Sequence, residues 1–209
     1  MTTEGTGAPR FPGRSAAILA GGRSTRMGAN KALLEVGGQG MLRRTAALLR
    51  PLVDDLFLVA DDPAPYAGLG LPVRPDVLPG RGALGGIHAA LTHAAHPRVL
   101  CAACDMPLIS PGVLELLLGA DDAADAILPR VGGWPEPLLA VYGRGALPAI
   151  ERALLAGRLR VVEALAGLRV GYLEEDRLAA ADPGCRSFVN VNTPGDLEAA
   201  RALAAGKRP

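Results

Sequence analysis

The stretch Ser15-Ala16-Ala17-Ile18-Leu19-Ala20-Gly21-Gly22 determines the fold that we expect for this chain. It is a short, uninterrupted apolar run that ends in two glycines, a pattern typical of a buried strand that leads into a glycine loop. Comparable apolar runs follow at 56–60 and 99–104, with helical patterns between them. Continuous apolar strands that alternate with helices indicate a parallel sheet covered on both faces. We therefore expect a single three-layer α/β/α domain with a mostly parallel, Rossmann-like sheet.

Further elements complete this plan. Residues 1–14 show no apolar periodicity, so we expect a flexible tail there and a folded domain over residues 15–205. Residues 80–86 are predicted to form a glycine-rich turn. Additional strands are predicted at 126–128 and 138–142, and helices at 42–49, 87–95, 111–119, 146–156 and from 194 onward.

Composition excludes several classes of protein. The chain has 209 residues and a net charge of +1, which argues against a protein that coats nucleic acid. A hydrophobic content of 49% with 21% charged residues indicates a globular chain, and no apolar stretch is long enough to span a bilayer. Three cysteines do not make a disulfide framework, and no signal peptide is evident. We expect a cytoplasmic protein without a membrane or nucleic-acid partner.

The neutral total conceals a cationic segment. Acidic residues are absent from 5–34, and this gap holds the glycine loop with Arg23, Arg26 and Lys31. Only Lys31 and Lys207 of the 22 basic residues are lysines. Glycine loops expose N–H groups to phosphate oxygens, and a lysine ammonium is a compact charge suited to a phosphoryl group. The segment therefore predicts a phosphate site, against the alternative of a simple glycine turn with solvated arginines.

Two aspartates stand in similar positions further along the chain. Asp76 precedes the glycine-rich turn and could accept hydrogen bonds from a nucleobase or ribose, or be an ordinary loop aspartate. Asp105 follows the strand at 99–104 and suits one ligand position on a hydrated Mg²⁺, although it could also be a helix-proximal aspartate. Ligands of such sheets bind outside the carboxyl ends of the strands, which is where these residues fall.

Two other patterns are not interpreted as functional. Cys101 and Cys104 have redox spacing but should point to opposite faces of one strand. His88, His93 and His96 lie on or near one helix, and the sequence shows no carboxylate partner beside them.

With these features the chain resembles the molybdenum cofactor guanylyltransferases, a family related to the sugar-nucleotide pyrophosphorylases. The resemblance implies a fold of the nucleotide-diphospho-sugar transferase type. The resemblance runs from residue 16 to about 202 and rests on four motifs in order. They are Leu19–Lys31, Gly82–Gly86, Cys104–Pro107 and Asn190–Pro194.

The resemblance implies an activity and a role for each matching residue. GMP would pass from GTP to the terminal phosphate of molybdopterin, with release of pyrophosphate. The implied catalytic residues are Lys31, Arg26 and Asp105, with Asp105 also as the Mg²⁺ ligand. The implied nucleotide-binding residues are Leu19, Ala20, Gly21, Gly22, Lys31, Asp76 and Asp105, and those for the pterin are Arg26, Arg160, Asn190 and Asn192. Cofactor-delivery proteins or target molybdoenzymes are implied as further partners.

Three positions depart from the family pattern. Asn30 stands where an aspartate is usual, Ala83 replaces a proline, and Val59-Ala60 stands where relatives can present an asparagine to the nucleotide. Two alternatives therefore stay open: a sister nucleotidyltransferase that uses CTP or a sugar phosphate, and a non-catalytic nucleotide-binding protein of the same fold. The sequences Ala20-Gly21-Gly22 and Asn190-Val191-Asn192 favour the guanylyl branch.

Overall fold

The fold is described here from a computed structural model, which covers residues 11–20, 34–121 and 123–206. Ten strands are found in this part of the chain. They are β1 (Arg14–Leu19), β2 (Glu35–Val36), β3 (Gln39–Gly40), β4 (Asp55–Val59), β5 (Val73–Arg74), β6 (Arg98–Ala103), β7 (Ala126–Val131), β8 (Trp134–Pro135), β9 (Leu139–Gly143) and β10 (Val170–Leu173).

Seven α-helices accompany the strands over the same described ranges. They are α1 (Met41–Leu49), α2 (Gly82–His93), α3 (Pro111–Leu118), α4 (Leu147–Leu155), α5 (Val161–Ala164), α6 (Glu175–Ala181) and α7 (Pro194–Ala204). Short 3-10 helices occupy Ala64–Leu69, Arg144–Ala146 and Arg186–Phe188.

The main sheet has the strand order β10-β7-β9-β6-β1-β4-β5, with β8 added to β7. Strands β5, β4, β1 and β6 are parallel neighbours, as are β10 and β7. Strand β9 runs antiparallel to both β6 and β7. The predicted mostly parallel sheet is confirmed, and its parallel strands end at one common edge.

The central strand β1 has side chains in two separate cores, which makes the domain three-layered. Ala16 and Ile18 belong to the core under α1, α3 and α6, whereas Ala17 and Leu19 belong to the core under α2, α4 and α5. This alternation follows from the two-residue period of a strand, and it explains why the run is apolar throughout. The predicted α/β/α architecture is thereby confirmed.

The glycine-rich segment differs from the prediction. Helix α2 begins at Gly82, so the turn expected over 80–86 is wrong for residues 82–86, which are helical. Gly86 packs against strand β1, and a Cβ there would lie 3.7 Å from the Leu19 side chain. The glycine-rich segment therefore forms the first part of a helix that packs on the end of β1, which the sequence does not distinguish from a loop.

A third, smaller core joins the C-terminal segment to the rest. Val191 and Leu197 pack with Val36 and Met41, so α7 covers the β2–β3 hairpin. At the other end of the chain, Phe11 donates its backbone N–H to the carbonyl of Leu52 at 2.8 Å. No helix among the described residues is long and apolar enough to cross a membrane.

Candidate functional site

Three aspartates stand at equivalent positions on neighbouring strands. Asp61, Asp76 and Asp105 each lie two residues beyond the carboxyl end of a strand, namely β4, β5 and β6. All three line one cleft of about 720 Å³, together with Leu19 at the end of β1. Since β4 and β6 flank β1, Asp61 and Asp105 follow the strands on opposite sides of β1. The cleft therefore lies where α/β sheets bind ligands.

The end of β1 is fixed to both neighbours by its backbone. Ala20 donates its N–H to the carbonyl of Val59 at 3.0 Å, and Cys104 donates to the carbonyl of Leu19 at 3.1 Å. Leu19 also lines the cleft with its side chain. These bonds hold the carboxyl end of β1 between β4 and β6, and they use two of the backbone groups that the resemblance assigns to the nucleotide.

Asp61 and Asp76 form one wall of the cleft. The backbone N–H of Asp76 donates to Oδ1 of Asp61 at 3.2 Å, so the two carboxylates are neighbours. Oδ1 of Asp76 is buried and has no hydrogen-bond partner among the described residues. Burial raises the pKa of Asp76, the nearby charge of Asp61 raises it further, and His88 opposes both. This wall therefore presents carboxylate oxygens that can accept hydrogen bonds from a ligand.

Asp105 is joined to the C-terminal motif. Its carbonyl accepts the backbone N–H of Val191 at 2.9 Å, which places Asn190 and Asn192 on either side of this contact. Asn190 donates from Nδ2 to the carbonyl of Phe188 at 3.1 Å, and the N–H of Asn192 donates to Asp196 at 2.8 Å. The structure therefore brings two of the expected pterin residues beside the expected metal ligand.

The same motif also starts α7. Thr193 and Asp196 form a capping box: the Thr193 hydroxyl accepts from the N–H of Asp196, and the Asp196 carboxylate accepts from the N–H of Thr193. Such a box satisfies N–H groups at the first turn of a helix. The residue types of the motif thus have a structural reason in addition to any functional one.

The remaining expected residues are not brought to the cleft by the described contacts. Arg160 is exposed at the start of α5, where it pairs with Glu163 at 3.0 Å, and it is not among the described residues that line the cleft. Gly21, Gly22, Arg26 and Lys31 lie outside the described residues, as does Asn30.

Sequence reasoning missed Asp61 altogether. A signal was present, because Asp61 follows the apolar run 56–60 just as Asp105 follows the run 99–104. Only the fold shows that it joins Asp76, since the two aspartates are 15 residues apart.

The expectation for the histidines needs one correction, and that for the cysteines is confirmed. The expected lack of a carboxylate partner is wrong for His88, whose Nε2 lies 3.3 Å from Glu151 Oε1 across the α2–α4 contact. This partner is 63 residues away in sequence, so no local pattern reveals it.

Cys101 belongs to the core under α2, whereas Cys104 packs against the opposite core, which confirms that they face apart.

The donor set decides what kind of metal the cleft suits. No group of three or more His, Cys, Asp or Glu side chains within the described ranges could hold a metal ion by itself. Mg²⁺ typically binds one or two carboxylates together with phosphate oxygens and water. Asp105 is a single carboxylate that faces a cleft with room for a ligand, so the residues present fit an ion that binds together with a nucleotide.

Comparisons with known proteins agree with this geometry. Residues 16–170 match the MobA-like NTP transferase domain. Together with a strand-edge cleft lined by carboxylates, this match defines a nucleotidyltransferase enzyme, a class that typically depends on a divalent metal ion.

Individual relatives specify the family. The chain is 42% identical over 191 residues to a probable molybdenum cofactor guanylyltransferase of Pelotomaculum thermopropionicum, with 91% of this chain and 93% of the relative covered. It is 39% identical over 187 residues to the molybdenum cofactor guanylyltransferase of Desulfosudis oleivorans, with 88% and 93% covered. The crystal structure of molybdopterin-guanine dinucleotide biosynthesis protein A from Archaeoglobus fulgidus superposes with a TM-score of 0.80 at 32% identity, with 92% and 99% covered. The chain therefore belongs to the molybdenum cofactor guanylyltransferase family.

Proposed function

We propose that this protein transfers GMP from GTP to the terminal phosphate of molybdopterin and releases pyrophosphate. The observation that carries the proposal is the position of Asp105. It lies in one cleft with the Asp61–Asp76 wall, and its backbone also holds the segment Asn190–Asn192. A metal-binding carboxylate between a nucleotide wall and a second-substrate segment is the arrangement that transfer between two phosphate-bearing substrates requires.

The nucleoside of GTP occupies the side of the cleft formed by Asp76. Around this aspartate the described lining is mostly apolar, with Val59, Pro79 and Leu19 among its residues. Ligand sites of this kind bury a flat apolar body and orient it with a few polar groups. The phosphates then extend past the end of β1 toward Asp105.

The triphosphate lies between Asp105 and the glycine loop. The acid-free segment over 5–34, which contains Gly21, Gly22, Arg26 and Lys31, attracts this polyanion. Asp105 would hold Mg²⁺, and the ion would neutralise charge on the phosphates. Lys31 supplies a point charge close to the reacting phosphoryl group.

The pterin substrate lies on the other side of Asp105. Asn190 and Asn192 are adjacent to it through Val191, and amide groups can both donate to and accept from a pterin ring. Arg160 joins them when its exposed guanidinium leaves Glu163 for the substrate phosphate, a geometry that suits arginine.

The reaction needs no general base from the protein. The terminal phosphate of molybdopterin is already ionised at neutral pH, and one of its oxygens bonds to the α-phosphorus of GTP. The bond from that phosphorus to the bridging oxygen breaks, and the electron pair leaves with pyrophosphate. The protein contributes positioning and stabilisation of charge, which are the main requirements of such transfers.

The decisive experiment compares nucleotides with purified protein, Mg²⁺ and molybdopterin. GTP should release pyrophosphate and yield the dinucleotide product, detected by mass. A preference for CTP would assign the protein to the cytidylyl branch, and binding without turnover of either nucleotide would favour a non-catalytic role. The cytoplasmic location and an encounter with target molybdoenzymes stay predictions.

A further inference from the structure

Asp61 is a cleft residue to which the sequence assigns no role. It follows β4, it lines the same cleft as Asp76, and its Oδ1 accepts the Asp76 backbone N–H at 3.2 Å. Its neighbour Asp62 provides a contrast, because the Asp62 carboxylate accepts the N–H of Ala64 at 2.9 Å and Asp62 is not among the lining residues. Two adjacent aspartates thus have different surroundings, and only one of them faces the ligand site.

The wall formed by Asp61 and Asp76 has an unusual charge balance. The described lining of the cleft includes three aspartates and no lysine or arginine. Phosphate groups placed beside Asp61 and Asp76 would be repelled by both. What binds there must instead carry no negative charge and offer hydrogen-bond donors, because an ionised carboxylate only accepts.

Burial makes this need stronger at Asp76. Its Oδ1 is buried and has no partner among the described groups, and a buried acceptor without a donor costs free energy. The surroundings of the pair are apolar, with Val59 and Pro79 in the same wall. A flat heterocycle with N–H groups on one edge satisfies both conditions, since its faces contact the apolar residues and its edge meets the carboxylates.

We propose that Asp61 is a specificity residue that accepts a hydrogen bond from the 2-amino group of guanine, beside Asp76, which accepts from the ring N1–H. Guanine presents these two donors next to each other, whereas cytosine and adenine do not. The buried oxygen of Asp76 meets the rigid ring, and the exposed side chain of Asp61 meets the amino group at its outer corner. The proposal rests on the use of GTP described above and adds the residue that selects it.

This assignment gives a physical role to a position where the chain departs from its relatives. The family can present an asparagine near the end of this strand, and here Val59 and Ala60 occupy that place. Asp61, one residue further on, supplies a charged acceptor at the same edge. A hydrogen bond to a charged group is stronger than one between neutral groups, so selection of guanine need not weaken.

The test compares GTP with ITP, which lacks only the 2-amino group. The wild-type protein should use GTP at least about tenfold better in kcat/KM, the effect of one hydrogen bond to a charged acceptor. In Asp61→Asn the preference should fall to within about threefold, because the amide is a weaker acceptor and also offers a donor. Asp62→Asn, the matched control, should keep the wild-type preference.

A second measurement is independent of catalysis. Equilibrium binding of GTP and ITP with Mg²⁺ and without pterin should show the same loss of discrimination in Asp61→Asn, with the variant's thermal unfolding close to that of the wild type. Equal use of GTP and ITP by the wild type would overturn the proposal without any variant.

Two further outcomes separate the alternatives. If Asp61→Asn weakens GTP and ITP by the same factor but leaves 2′-deoxy-GTP unaffected, Asp61 contacts the ribose and the proposal is wrong. If the wild type binds GTP with the expected preference over ITP and yet releases no pyrophosphate, guanylyl transfer fails while the guanine assignment stands.

Discussion

Gly85 and Gly86 are adjacent in α2, and replacing each by alanine should shift stability in opposite directions. Alanine is favoured over glycine inside a helix by about 1 kcal/mol. A Cβ on Gly86 would lie 3.7 Å from the Leu19 side chain, an ordinary contact distance. Gly86→Ala should therefore raise the free energy of unfolding by about 0.5–1 kcal/mol, which corresponds to about 2–4 °C in Tm at the upper end for a domain of this size.

The neighbouring site has no room for the same methyl group. A Cβ on Gly85 would lie 2.9 Å from the Cβ of Arg81 and 3.4 Å from the carbonyl oxygen of Leu78. The Arg81 Cβ is fixed to the backbone and cannot rotate away. The required shift costs about 1–3 kcal/mol, which outweighs the gain in helix propensity, so Gly85→Ala should lose about 1 kcal/mol in net stability.

The assay is urea unfolding followed by far-UV circular dichroism, supported by calorimetry, both without nucleotide. Each variant serves as the other's control, because the chemical change is the same and only the position differs by one residue. A stabilised Gly85→Ala would refute the close approach of the Arg81 Cβ to this position, and a Gly86→Ala that unfolds more easily than the wild type would refute the ordinary contact distance to Leu19.

Three further predictions address the site. Asp105→Asn should lower kcat/KM for pyrophosphate release by at least about 100-fold, since it removes a carboxylate from the metal position. The control Asp62→Asn should leave kcat/KM within about twofold of the wild type. Retention of most activity in Asp105→Asn would exclude Asp105 as the metal ligand. Asp76→Asn should bind GTP more weakly and yet unfold at higher urea at neutral pH. Burial and Asp61 raise the pKa of Asp76 above its unfolded value, so the ionised form destabilises the fold. The gain in stability of the variant should shrink as the pH falls through the raised pKa, and a gain that does not change with pH would contradict this cause. Lys31→Ala should reduce turnover far more than Arg10→Ala, and equal rates would remove Lys31 from the mechanism.

The sequence predicts the strands that lie at the centre of the sheet and misses those at its edge. Strand β6 is buried along its whole length and β1 from Ser15 onward, so their apolar runs are easily recognised. Strand β10 is short and half-exposed, and it holds Gly171 where a Cβ would clash with Ile127 at 2.6 Å. Nothing in its local pattern marks it as a strand, because it is defined by pairing with β7 and not by burial.

Local apolar patterns also fail to predict one of the helices and the direction of one strand. Helix α6 buries a single residue, Leu178, so it has no apolar period that could be recognised. The apolar run of β9 indicates a strand at 138–142, close to its observed position, but not that it runs antiparallel. Direction is set by the connections at both ends, which apolar patterns do not encode.

Some residues of the candidate site can be recognised from the sequence, and others cannot. Asp76 and Asp105 are identified from sequence because each follows a recognisable strand or precedes a recognisable turn. The pairing of Asp61 with Asp76 and of His88 with Glu151 depends on residues far apart in the chain. Residues that carry a local motif are thus predictable, whereas those that complete the site through tertiary contacts are not.

The distribution of charge explains why a near-neutral protein suits a polyanionic nucleotide. Acids are absent from 5–34, the segment that contains Arg23, Arg26 and Lys31, whereas Asp61, Asp76 and Asp105 line the cleft just beyond the ends of β4, β5 and β6. Under the proposed function, the cationic segment attracts the triphosphate and the aspartates restrict where it can lie. Asp105 admits the phosphates only together with a cation, and the Asp61–Asp76 wall repels them and accepts N–H donors instead. A cationic segment and a cleft lined by carboxylates would then together set the direction of the nucleotide as well as its affinity.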